Sequence, residues 1–166
     1  MQPIFTIHAG EYLVGTYIEE NFKNYNIWIP AKDTGIDLLV TNSKNNKAIS
    51  LQVKYSKDYV VTNLKPELLH KFKVRGWWTL RRDKLKKSIA DLWVFVMQSF
   101  SIGTIECVVI DPSKLLNILE KLHGHKERYQ TYMWVTNKGK CWESRGLAKS
   151  DSVLVANNSN RSGLQA

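Results

Sequence analysis

The apolar positions of the chain change period several times, and each change marks an element. Over residues 7–22, IHAGEYLVGTYIEENF, Leu13, Val14, Tyr17 and Ile18 form a stripe at three- and four-residue spacing, which predicts a helix. Gly10 and Gly15 weaken that helix but let it approach a sheet closely. Asn26–Ile29 reads as a short strand stopped by Pro30. Ile36–Val40 and Ala48–Tyr55 read as two strands joined by the polar turn NSKNNK, residues 42–47, which makes a hairpin. A helix is expected over 65–72, a turn at Gly76 and a short helix over 83–89. Leu92–Gln98 and Ile105–Ile110 are strands by their β-branched and aromatic content. Asp111-Pro112-Ser113 opens a helix that runs to about Leu122 and ends at Gly124, and Tyr129–Val135 is a further strand. The order is helix, three strands, a basic insertion, two strands, helix, so the fold class is α/β. One domain is expected over residues 1–149, with residues 150–166, rich in Ser and Asn, as a loose tail.

Composition narrows the class. The 166 residues are 43% hydrophobic and 23% charged, as in an ordinary globular chain. MQPIFTIHAG has no basic start followed by an apolar core, and Leu92–Met97 falls far short of the ~20 apolar residues a bilayer span needs. The expectation is therefore a cytoplasmic protein with no membrane contact. Cys107 and Cys141 lack CxxC or metal spacing, and two buried thiols are expected rather than a disulfide.

Charge adds a partner. A formal net charge of +9 suits a polyanion, because each neutralised phosphate releases condensed counterions. From Lys65 to Lys87, nine Lys and Arg residues are opposed only by Glu67 and Asp83. With Lys57 just upstream, this stretch supplies the nucleic-acid-binding candidates Arg75, Trp78, Arg81, Arg82 and Lys84. Trp77 or Trp78 would stack on bases or wedge into a groove, unless it belongs to the core. His8 stands one turn before Glu11, as a helix cap or a neighbour of the site; His123-Gly124-His125 reads as a solvated helix end, and Glu19-Glu20 as surface. No phosphate-binding glycine loop and no serine or cysteine triad is found.

The hairpin concentrates chemistry. If Val40 pairs with Ile49 across the turn, antiparallel pairing puts Asp37 opposite Gln52, with Cβ atoms about 4.5–5.5 Å apart on one face. The two-residue period puts Lys54 on that face and turns Leu51 and Val53 away. A carboxylate and an ammonium among Ile, Leu and Val would be costly unpaired, and a divalent cation on Asp37 and the Gln52 amide oxygen would relieve much of the cost. A hard cation favours further oxygen ligands, for which Glu11 on the first helix is the candidate.

Glu11, then Gly35-Ile36-Asp37-Leu38-Leu39, then Leu51-Gln52-Val53-Lys54 resembles the PD-(D/E)xK nuclease superfamily. HAGEYLVGTYI and PAKDTGIDLLV…SLQVKYS are similar to bacterial members related to archaeal Holliday junction resolvases and intron-associated endonucleases. The motifs cover residues 8–56, and element order extends the match to about residue 122. The resemblance implies a restriction-endonuclease-like core, a mixed central sheet flanked by helices in αβββαβ order. It implies a metal-dependent endonuclease acting on DNA, of restriction, homing or junction-resolving type, and often a homodimer. In such a site Asp37, Gln52 and the Val53 carbonyl hold Mg²⁺, for which Mn²⁺ substitutes. Glu11 is a further ligand, direct or through water, and Lys54 positions the attacking water. Two departures stand out: Gln52 replaces the usual acid, which removes a charge and weakens metal affinity, and Ile36 replaces proline. The second reading is a non-cutting nucleic-acid-binding module with the same fold.

Overall fold

In the computed structural model the residues described are 7–32, 34–58, 71–143 and 153–156. Helix α1 (Ala9–Asn21) leads into a meander of β1 (Tyr25–Trp28), β2 (Leu38–Asn42) and β3 (Ala48–Lys57). Strand β4 (Phe72–Arg81) and the short helix α2 (Arg82–Lys86) precede β5 (Leu92–Ser99) and β6 (Thr104–Ile110). Helix α3 (Pro112–His123), β7 (Arg128–Thr136), β8 (Cys141–Glu143) and β9 (Val153–Ala156) complete the order.

The strands form two sheets. The first is mixed and five-stranded, β1-β2-β3-β5-β6, antiparallel except where β5 runs parallel to β3. The second is antiparallel, β4-β7-β8-β9. Val14 and Ile18 of α1 cover one face of the first sheet, against Leu38, Val40, Leu51, Val53, Val94 and Val96. The other face, with Trp93, Phe95, Met97, Val108 and Ile110, is covered by β4, β7 and the Leu115–Leu119 side of α3. Strand β5 is thus buried on both faces, which is why Leu92–Met97 is an unbroken apolar run and not an alternating one. The fold is mixed α/β, as expected. No helix among the described residues is long and apolar enough to cross a membrane.

Local rules explain most boundaries. The Asp111 carboxylate accepts from Lys114 N at 2.9 Å and Pro112 fills the first turn, so α3 starts where its cap demands. Gly124, at φ +71°, ends it.

The largest correction is β4. Residues 65–70 lie outside the described residues, Phe72 begins a strand, and Gly76 sits inside it rather than in a turn. A Cβ at Gly76 would come within 2.6 Å of Met97 Cγ and 2.5 Å of the Trp78 ring, so glycine there serves close packing of the two sheets. The helix expected over 83–89 shrinks to Arg82–Lys86. Residues 153–156 of the expected tail form β9 against β8, in keeping with the strand propensity of Val-Leu-Val.

Candidate active site on the hairpin

The hairpin has the expected register. Val40 pairs with Ile49, Leu39 with Ser50 and Leu38 with Leu51, and the Asp37 amide donates to Leu51 O at 2.8 Å. Asp37 thus stands one step beyond the last ladder pair, opposite Gln52. Its Oδ2 accepts from Val53 N at 2.6 Å and from Gln52 Nε2 at 3.1 Å. Because Gln52 presents its nitrogen to a carboxylate, its Oε1 is left facing the Gly35 turn, 3.8 Å from where a Cβ would stand. Gly35 has φ +91°, a conformation that glycine adopts without the strain a side chain would add, and it delivers the chain into Asp37. Within a strand, the N–H and C=O of one residue leave the same edge. The Val53 carbonyl therefore emerges on the edge that faces Asp37.

Lys54 follows on the face of Gln52, half-buried. Its Nζ lies 5.5 Å from the centroid of the Trp93 ring. Trp93 is 3% exposed and is held by a 2.9 Å bond from its Nε1 to Ser88 Oγ, so the ring is a fixed seat for the ammonium. Among the described residues no carboxylate lies within ion-pair distance of Lys54, so its charge is positioned but not neutralised.

Asp91 was not foreseen. Just before β5, its Oδ2 accepts from both N and Oγ of Ser50 at 2.7 Å, two residues before Gln52. These hydrogen bonds hold its carboxyl below the usual range, against a smaller opposing effect of burial. Asp37 and Asp91 thus grip β3 from its two neighbours and fix the segment that carries Gln52 and Lys54.

Among the described residues Glu11 makes no hydrogen bond or ion pair with Asp37, Gln52 or Lys54. It lies in the first turn of α1, and its Oε2 accepts from His8 N at 3.1 Å. The helix packs on the face of Val53 and Tyr55, opposite Gln52 and Lys54. Among the described residues no three His, Cys, Asp or Glu side chains converge on one point. The hairpin itself would offer a cation one carboxylate, Asp37, with the Gln52 amide and Val53 carbonyl oxygens. That set fits an ion such as Mg²⁺, which keeps several waters and binds through one or two carboxylates and substrate phosphate.

The basic candidates divide. Trp78 is a core residue at 7% exposure, with Nε1 bonded to Tyr55 O at 3.2 Å; the exposed member of the pair is Trp77, at 50%. Arg75 is committed to Asp58 through its backbone N–H, Nε and Nη2, at 3.0–3.2 Å. Arg82 bonds Glu120 at 2.7 Å and spans α2 to α3. Arg81 pairs with Asp83 at the surface. Lys57 and Lys84 are exposed, and Lys57 Nζ lies 5.6 Å from the Phe100 ring centroid. The two histidines near Gly124 diverge. His123 is tucked 3.4 Å from the buried Glu143, whereas His125 is exposed beside Glu120. His123 is thus not part of a solvated turn.

Comparison with known proteins returns no match: no family model, no curated protein and no solved structure is significantly similar to this chain.

Proposed function

We propose that this chain is a metal-dependent DNA endonuclease of the PD-(D/E)xK superfamily, hydrolysing phosphodiester bonds at Asp37, Gln52, Val53 and Lys54. The observation that carries the reading is the Asp37 carboxylate locked against the Gln52 amide and Val53 N–H, with the un-neutralised ammonium of Lys54 on the same strand. The order α1, antiparallel β1-β2-β3, then β5 parallel beside β3, supports a restriction-endonuclease-like core. A cytoplasmic location and a homodimer acting on both strands go with this reading.

The site residues divide the work. Asp37, the Gln52 amide oxygen and the Val53 carbonyl would hold Mg²⁺ or Mn²⁺, which when bound supplies charge neutralisation at the scissile phosphate. Lys54, seated on Trp93, orients a water for in-line attack and donates to the phosphoryl oxygens as their charge grows. The rigid seat matters because the ammonium needs no reorganisation as the reaction proceeds. Glu11 would join as a further ligand through Oε1, directly or through water, with Oε2 still holding the His8 amide. Lys57 and Lys84 would meet the DNA backbone as unpaired surface cations.

One observation favours the second reading, a non-cutting nucleic-acid-binding module. Asp37 Oδ2 already has two protein donors, as a structural clamp would. A supercoiled-plasmid assay separates the two. The nuclease reading expects nicked and linear products with Mg²⁺ or Mn²⁺ and none with EDTA. Plasmid that stays intact with both metals while still being bound would establish the non-cutting module.

A further inference from the structure

The second sheet turns one face away from the core. Along β4, Val74, Gly76, Trp78 and Leu80 are buried, so Arg75, Trp77, Thr79 and Arg81 point outward. Along β7 the same alternation buries Tyr129, Thr131, Met133 and Val135 and turns Arg128, Gln130, Tyr132 and Trp134 outward. Register sets these residues side by side: Trp77 opposite Tyr132, Thr79 opposite Gln130, Arg81 opposite Arg128. Strand β8 adds Trp142 opposite Trp134.

This face carries no carboxylate at any outward position of β4, β7 or β8. Arg81 and Arg128 stand directly opposed at one end of it. Arg81 has Asp83, but among the described residues Arg128 has no carboxylate within ion-pair distance. Beside Arg128 lies an open cleft of about 420 Å³, lined by Thr79, His123, Lys126, Tyr129 and Gln130. Aromatic rings therefore occupy the middle of the face, and an amide and a hydroxyl come next. Arg75 and Arg81 are held by Asp58 and Asp83, which leaves Arg128, with Lys126 beside it, as the cations without a carboxylate among the described residues. Rings standing on a sheet reach the faces of unpaired bases, which duplex stacking hides, and cations beside them meet the phosphates.

We propose that this outer face binds an unpaired stretch of nucleic acid, with Trp77 and Tyr132 stacking on bases and Arg128, with Lys126, contacting phosphate. The proposal rests on the nuclease reading only for the use made of the bound strand, and it assigns that enzyme substrates with single-stranded segments. It separates from the hairpin site because the two lie on different sheets.

The test measures fluorescence anisotropy of the full chain, in EDTA, with a labelled oligothymidylate of about 15 nucleotides and a duplex of the same length. The parent binds the single strand more tightly than the duplex. Trp77→Ala weakens single-strand binding about tenfold or more, and Tyr132→Ala does likewise. Arg128→Ala weakens it and lowers the salt slope by about one. Because binding is read in EDTA, where no metal-dependent cleavage occurs, a failure of the cleavage reading and a failure of this one are told apart. Trp77 is half exposed, so its variant retains the parent melting temperature even if Tyr132→Ala does not fold. Single-strand binding by Trp77→Ala within twofold of the parent would overturn the proposal. So would a Trp77→Ala effect confined to the sedimentation coefficient, which would make the face a contact between copies of the chain.

Discussion

The carboxylate of Asp37 accepts the backbone N–H of Val53 at 2.6 Å, one step past the last β2–β3 ladder pair. A backbone carbonyl would do this in a longer strand. Here a side chain does it, which leaves the carboxylate's second oxygen at the mouth of the hairpin, beside the Gln52 amide. The structural clamp and the candidate metal ligand are the same group.

Adding charge beside that clamp tests for a cation. In Gln52→Glu a second carboxylate replaces the amide that donates to Asp37 at 3.1 Å. Without metal the two like charges repel, so melting temperature falls in EDTA. With Mg²⁺ it recovers beyond the parent's response, because a ligand that binds only the folded state stabilises it. Isothermal titration should show tighter Mg²⁺ binding by about tenfold, a difference of ~1.4 kcal/mol. Equal metal response in parent and variant would remove the cation from this site.

Gly76 tests how the sheets meet. Gly76→Ala places a methyl within 2.6 Å of Met97 Cγ and against the Trp78 ring, both of them buried. Overpacking of this kind costs about 1–3 kcal/mol, read as a lower urea midpoint at unchanged slope. An unchanged midpoint would mean that the two sheets stand further apart.

Asp91 predicts an acid dependence. Its carboxyl is depressed in the folded state, first by the Ser50 hydroxyl and then by the Ser50 amide. A depressed acid contributes stability that is present above the unfolded value of about 3.9 and lost as pH falls through the folded value. Asp91→Asn should therefore melt below the parent near neutral pH, and the gap should close in strongly acidic buffer. A gap of constant size from neutral to acid would assign the effect to shape and not to charge.

The cysteines make a labelling prediction. Burial pushes the Cys107 thiol up to about 12 and the more deeply buried Cys141 thiol up as well, each with a smaller push from a neighbouring glutamate. Thiolate is scarce near neutral pH, so both react slowly with a disulfide reagent in the native state and promptly in denaturant. Fast labelling of either in the native protein would contradict its burial.

The hairpin was legible because its signals are local. A polar turn between two apolar runs sets Val40 against Ile49, and the two-residue period then joins Asp37, Gln52 and Lys54. Strand β4 was not legible, because a glycine chosen for contact with Met97 looks the same in sequence as one chosen for a turn. The choice between Trp77 and Trp78 turns on strand phase, which only the position of the core decides. Arg75 and Asp58, 17 residues apart, meet only through the crossing of β4 over the end of β3. The position of Glu11 is set in the same way by packing, because its helix covers the face of the sheet opposite Gln52 and Lys54.

Cleavage at this site turns on Lys54. Its ammonium has no carboxylate partner among the described residues and rests on Trp93, so Lys54→Ala should fold with a melting temperature close to the parent's. The decisive measurement is Mg²⁺-dependent nicking of supercoiled plasmid by the parent, Lys54→Ala and Asp37→Ala at equal concentration. The account predicts cleavage by the parent and a loss of at least about a hundredfold, ~2.7 kcal/mol in the barrier, in each variant. Cleavage by folded Lys54→Ala at the parent's rate would contradict it.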